Sequence, residues 1–143
     1  MTYVFSTTQT RRYRFPTHIN KLVMDRTEAA GSEVFIVELA PGEAPPRHRH
    51  DDMEQIFYIL TGQGRLLIGE NGEEYPISPG DVVRIPLATL HTVHCLGQAT
   101  LCYLAVDCFP GGRPETEPSW DVHIQNVCDQ QGWDYNHIVE QGH

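Results

Sequence analysis

Residues 33–107 predict an all-β fold, a sandwich or closed barrel, on three observations. Runs of β-branched and aromatic residues are short, turns bearing glycine or proline separate them, and no stretch of this range repeats its apolar positions at helical spacing. The clearest strand is residues 33–39 (EVFIVEL), broken by Ala40, Pro41 and Gly42. Before it, residues 1–32 hold two weaker strand patterns, around Tyr13 to Phe15 and Lys21 to Met24. Residues 55–60 are apolar on both faces, as expected of a strand buried on both sides. Thr61-Gly62-Gln63-Gly64 reads as a hairpin turn into a short strand over 65–68. The Asn71-Gly72 pair beyond it is a strong hairpin signal. Pro76 to Gly80 turn the chain again, residues 81–85 form a strand stopped by Pro86, and residues 90–95 and 99–107 complete the set.

The tail differs. Ser119 suits a helix N-cap, Trp120, Ile124, Val127 and Cys128 recur at helical spacing, and Gly132 suits the C-terminal cap. One short amphipathic helix is expected there, against the outside of the barrel or a partner subunit. The chain reads as a single domain over residues 1–143, with a barrel core at about 33–107 and a C-terminal extension over 108–143.

Ten basic residues face 19 acidic ones, for a net charge of -9, which argues against nucleic acid or an anionic membrane as partner. Arg11, Arg12 and Arg14 are too few to reverse this and read as a solvated strand edge. No apolar run fits a signal peptide or a bilayer span, so a cytoplasmic location is expected. Cys95, Cys102, Cys108 and Cys128 show no CxxC spacing. Reduced thiols are the simpler reading, although four cysteines would allow three pairings.

The chemistry concentrates at Arg47-His48-Arg49-His50-Asp51-Asp52-Met53-Glu54. Two histidines two apart leave the same face of an extended strand, and Glu54, an even step further, returns to that face if extended geometry persists. Imidazoles and a carboxylate converging on one point make a first-row transition-metal site. A second stretch runs from Gly80 to His91, with Pro86 ending one strand and His91 beginning the next. In a closed barrel, separated strands aim side chains at one interior point.

These two stretches resemble the paired motifs of the cupin superfamily. The first, G(X)5HXH(X)3-4E with a following glycine, is matched by Gly42, His48, His50, Glu54 and Gly62. Gly62 falls one residue late when Glu54 is the ligand. Gln55 would restore the spacing, but a neutral amide is a poor metal ligand, so Glu54 is preferred. The second motif, G(X)5PXG(X)2H(X)3N, is matched by Gly80, Pro86 and His91, with Ala88 and Cys95 as departures. The resemblance implies a double-stranded β-helix (jelly-roll) barrel. It also implies a divalent transition metal held by His48, His50, Glu54 and His91, with iron, manganese, nickel, cobalt, copper and zinc all open. The 17 residues between Gly62 and Gly80 make a short gap, like that of small single-domain bacterial members. The activity implied is that of a metal-dependent enzyme, a dioxygenase or an isomerase or lyase, acting on a small organic molecule. The alternative is a non-catalytic binding or sensing protein in which the metal is a clamp. The fold also implies a homodimer, with the N-terminal strands and the C-terminal helix as its material.

Alternation from Glu54 puts Ile56, Tyr58 and Leu60 on the ligand face, and alternation from His91 puts Val93 and Cys95 inward. Tyr58, Val93 and Cys95 are therefore the candidate substrate-pocket residues. His94 falls outward by the same parity. His18, His123, His137 and His143 lie outside both motifs and read as structural or solvated. Asp51 and Asp52 are candidates to orient imidazole N–H groups, with a solvated turn as the simpler reading.

Overall fold

A computed structural model describes residues 1–140, in which the strands form two antiparallel sheets. One sheet contains, by spatial order, β10 (Val139–Glu140), β1 (Arg11–Phe15), β2 (His18–Met24), β3 (Ser32–Leu39), β9 (Leu101–Cys108), β4 (Glu54–Thr61) and β7 (Val82–Ile85). The other contains β6 (Glu73–Ile77), β5 (Gln63–Ile68) and β8 (His91–Leu96). The expected strands are thus all present, and the architecture is the double-stranded β-helix.

The sheets are joined by strands that leave one and enter the other. The expected hairpin at residues 61–64 is one such crossing: only Gly62 separates β4 from β5, yet β4 pairs with β7 and β9 while β5 pairs with β6 and β8. Gly62 has φ +85°, and a Cβ there would lie 2.4 Å from the Thr100 carbonyl oxygen, so both the handedness of the bend and the close approach require glycine. The Asn71-Gly72 hairpin forms as expected, joining β5 to β6, with Gly72 at φ +66°.

Residues 40–50 run beside β8 rather than within a sheet. Gly42 N–H donates to the Cys95 carbonyl, Cys95 N–H to Glu43, and His48 and His91 exchange both backbone hydrogen bonds at 3.1 and 2.9 Å. The two motifs are therefore stitched together by main-chain bonds before any side chain is considered.

The barrel is filled from both sheets, by Phe35, Phe57 and Tyr103 of the larger and Leu66, Ile77 and Val93 of the smaller among others. The helix α1 (Trp120–Gln131) has the predicted caps: the Ser119 side chain accepts from Val122 N–H, and Gly132 takes a left-handed conformation at φ 74°. It packs on its own barrel by one face: Trp120, Ile124 and Cys128 are buried in the same core as the strands, while Gln125 and Asp129 are exposed. A 3-10 turn, Arg26–Glu28, ties to this helix through Asp25, whose carboxylate accepts from Trp120 N–H. A second helix, α2 (Tyr135–Ile138), leads into β10, which closes on β1. The four cysteines are free.

Candidate metal centre

Three imidazoles meet in the barrel. His48, His50 and His91 each present a ring nitrogen, and these atoms lie within 4.8 Å of one another. His48 Nδ1 donates to the Pro46 carbonyl at 2.7 Å and His91 Nδ1 to the Thr89 carbonyl at 2.9 Å. A carbonyl can only accept, so the proton sits on Nδ1 in both rings and Nε2 is left with a bare lone pair. Burial pushes all three rings toward the neutral form: His91 falls to about 4, His48 is lowered, and His50 is lowered well below the usual imidazole range, with neighbouring imidazoles adding to the effect. Neutral imidazole is the metal-binding form.

Glu54 is not among them. It opens β4 opposite Cys108, while the next residue, Gln55, is the one that points inward and is only 5% exposed. The even-step parity fails because residues 51–52 are a bend and residue 53 is not in a strand, so the count restarts at β4. The correction carries along the strand. Ile56, Tyr58 and Leu60 face out, with Tyr58 46% exposed, so Tyr58 is excluded from the pocket; Phe57 and Ile59 face in. Val93 lines the cavity as expected, whereas Cys95 is buried in the core and donates its S–H to the Ala99 carbonyl.

Gln55 takes the position opposite the histidines. Its Nε2 donates to Asp107 Oδ1 at 2.8 Å, which turns its Oε1 to within 3.1 Å of His91 Nε2. With the His91 proton on Nδ1, two lone pairs face each other there. A divalent cation bound to both would convert that repulsion into two ligand bonds, so the donor set fits a metal.

His123 is the second residue that motif reasoning misses. Its ring lies 6.2 Å from that of His50, and Glu117 Oε1 accepts from its Nδ1 at 3.0 Å. The hydrogen bond from His123 leads the causes that lower Glu117 to about 2. A signal existed: His123 shares the face of Trp120, Ile124 and Val127 at spacings of three and four, a polar residue on an apolar stripe. His18 also lines the cavity, stacked on Phe15 with centroids 4.5 Å apart. His137 is solvated, His94 is half-buried, and His143 lies outside the described residues. Asp51 and Asp52 are exposed at the cavity rim.

The histidines sit in a cavity of about 380 Å3 whose walls include Phe15, Phe35, Phe57, Tyr103, Trp120 and Trp133. Helix α1 supplies one wall. The space is of the size and composition of a small-molecule site, apolar with a few convergent polar groups.

Comparison with known proteins agrees with this architecture. Residues 35–107 match the model of the Cupin domain family. An oxalate-binding protein of Thermotoga maritima is 34% identical over 70 residues, covering 49% of this chain and 56% of that protein. Auxin-binding protein 5 of Zea mays is 40% identical over 50 residues, covering 35% of this chain and 33% of the relative. The chain thus spans between a third and little more than half of these relatives. Among solved structures, a predicted oxalate decarboxylase from Thermotoga maritima superposes with a TM-score of 0.67 at 23% identity, over 75% of this chain and 99% of that one. A polyketide cyclase from Streptomyces resistomycificus gives 0.66 at 22%, over 80% and 86%. At such identities these two likenesses speak for the fold alone. The family-model match spans more than half of the chain, through both histidine segments, and on that ground the chain belongs to the cupin family.

Proposed function

We propose that this protein is a metal-dependent cupin enzyme acting on a small organic molecule, with His48, His50, His91 and the Gln55 carboxamide oxygen as the metal-binding groups. The observation that carries this reading is the convergence of three neutral imidazoles at one aromatic-walled cavity, two of them with Nδ1 fixed by backbone carbonyls. A bound divalent metal would supply Lewis-acid polarisation of an oxygen on the substrate. Gln55 in place of a carboxylate leaves the donor set uncharged. The cation's charge is then left for the substrate to meet, which favours anionic oxygen ligands such as carboxylates, enolates and phenolates. The aromatic walls exclude water and offer stacking faces. His123, oriented through Nδ1 by Glu117, offers Nε2 as a proton acceptor at the wall formed by α1.

The test is to strip the protein, load it with iron, manganese, nickel, cobalt, copper or zinc, and follow small keto acids, diols and phenols by mass spectrometry, with and without oxygen. Turnover by one loaded form, abolished in His91→Ala together with metal affinity, is the expected result. Oxygen-dependent product would identify a dioxygenase, and oxygen-independent product an isomerase or lyase. Absence of metal binding at micromolar concentration would overturn the reading. The names of the oxalate- and auxin-binding relatives favour a second reading, a binding protein with the metal as clamp. Tight retention of a ligand whose mass never changes would decide for it.

A homodimer is proposed on a surface other than the one the sequence suggests. The N-terminal strands and α1 are engaged with their own barrel, whereas Ile56, Tyr58, Leu60 and Val82 are exposed on neighbouring strands β4 and β7. Sedimentation is expected to show a dimer that Tyr58→Lys with Val82→Lys dissociates; a monomeric wild type would overturn this.

A further inference from the structure

Three side chains stand in register across the middle of the larger sheet. Glu33 of β3 lies directly opposite Asp107 of β9, and Asp107 lies directly opposite Gln55 of β4. All three face the interior, at 0%, 1% and 5% exposure. Arg26 closes one end of the row with two hydrogen bonds to Glu33, Nε to Oε1 and Nη2 to Oε2, both 2.8 Å. His91 Nε2 stands at the other end, 3.1 Å from Gln55 Oε1. Among the described residues, the Gln55 side chain thus hydrogen-bonds only with this row and with the histidine cluster.

A free glutamine amide has no reason to prefer one end. Next to a histidine whose Nε2 is a bare acceptor, the amide nitrogen would face the ring, because N–H···N is favourable and O against N is not. Gln55 adopts the opposite orientation. Asp107 supplies the reason: its Oδ1 accepts from Gln55 Nε2 at 2.8 Å, and the residue is only 1% exposed. Asp107 is in turn fixed by its hydrogen bond with Glu33, and Glu33 by Arg26.

We propose that Asp107, braced by Glu33 and Arg26, is a positioning residue that sets the Gln55 amide with its oxygen toward the histidine cluster and so completes the donor set. The inference rests on the reading that the three histidines hold a metal. Arg26 also donates from Nη1 to the Glu117 carbonyl at 3.0 Å, next to the carboxylate that orients His123. One buried guanidinium thus anchors two arms that reach the site, one ending at Gln55 and the other at His123.

Two substitutions separate orientation from bulk. In Asp107→Asn the new carboxamide still offers an oxygen to Gln55 Nε2 and an N–H to Glu33, so the row stays connected. In Asp107→Leu the acceptor is gone at similar volume, and Gln55 is free to turn its nitrogen to His91. Cobalt(II) affinity, measured by calorimetry, is expected to stay within about two-fold of wild type in Asp107→Asn. In Asp107→Leu it is expected to fall by about 10- to 100-fold, the usual effect of losing a partner that orients a ligand. The visible spectrum of the cobalt form should shift in Asp107→Leu and not in Asp107→Asn, a signature that general destabilisation does not produce. Should Asp107→Leu not fold, the wild type suffices: a zinc titration followed at the 13C-labelled Gln55 carboxamide carbon is expected to shift that resonance on loading. Wild-type affinity and spectrum in a folded Asp107→Leu, or an unmoved Gln55 carbon in zinc-loaded wild type, would overturn this inference alone. Failure of the wild type to bind either metal would overturn both it and the metal reading.

Discussion

Replacing Arg26 with methionine is expected to cost about 3–5 kcal/mol of stability, the range for removing one partner from a buried ion pair. Arg26 and Glu33 are both fully buried and joined by two hydrogen bonds at 2.8 Å. Without the guanidinium, the Glu33 carboxylate is left in the interior with only the Asp107 carboxyl beside it. The loss is dominated by that uncompensated charge and not by the net value of the pair, which predicts a rescue. Arg26→Met with Glu33→Gln removes both charges and is expected to regain most of the loss, because neutral replacements of a buried pair are tolerated. Packing contributes as well: the guanidinium lies over the Phe109 ring at 4.8 Å, and its turn is bound to the start of α1 through Asp25. Urea unfolding of the two variants measures both effects. A cost below about 1 kcal/mol for Arg26→Met, or no recovery in the double variant, would show that Glu33 carries no charge needing compensation.

The contrast between Glu54 and Gln55 shows what a sequence reveals and where it misleads. The barrel was legible because strand patterns and glycine or proline turns are local signals, and β5, β7, β8 and β9 lie within a residue or two of their expected bounds. The histidines were legible because two short segments carry them at fixed spacing. Which of Glu54 and Gln55 faces the histidines was not, because two criteria disagreed. Donor chemistry favoured Glu54, while the distance to Gly62 favoured Gln55. The spacing was the better guide, since Gly62 is pinned by its contact with the Thr100 backbone and the register of β4 follows from it. Alternation misled for a related reason. β4 is apolar on both faces, so hydrophobicity could not distinguish inside from outside, and the count carried over from His50 crossed a bend. His123 and Arg26 were illegible for a different cause. Each reaches the site through partners distant in sequence, Glu117 for one and both Glu33 and Glu117 for the other, and no spacing rule encodes such contacts. The crossing at Gly62 was read as a hairpin because turn composition is the same whether the chain returns to its own sheet or enters the next.

The metal-free protein is expected to be stable above pH 6.5 and to lose stability steeply as the pH falls toward 4. Burial, reinforced by neighbouring His48, lowers His18 to about 3 and His91 to about 4, and burial lowers His48 and His50 as well. In the unfolded chain these rings titrate near 6.5. Below that value the unfolded chain takes up protons that the folded one refuses, so the unfolded state gains free energy of protonation and the fold is destabilised. For His91 alone a displacement from 6.5 to about 4 corresponds to about 3 kcal/mol at the acid end of the window. Asp107 has the opposite sign. Burial and then Glu33 raise it well above the ordinary carboxylate range, so the folded chain keeps a proton that the unfolded one releases, which offsets one imidazole across the same window. Four rings against one carboxyl leave a clear net slope. Thermal unfolding in chelator at pH 8, 6.5, 5 and 4 should therefore show a plateau followed by a steep fall. Zinc should move the fall to lower pH, because ligation holds the rings unprotonated and stabilises only the folded state. His18→Gln, which removes one of the four rings without touching the three-histidine cluster, should make the slope shallower by about one proton, or about 1.4 kcal/mol per pH unit. A melting temperature that stays level from pH 7 to 4.5 without metal would mean that these rings are solvated and charged, and with them the neutral, metal-ready cluster would be lost.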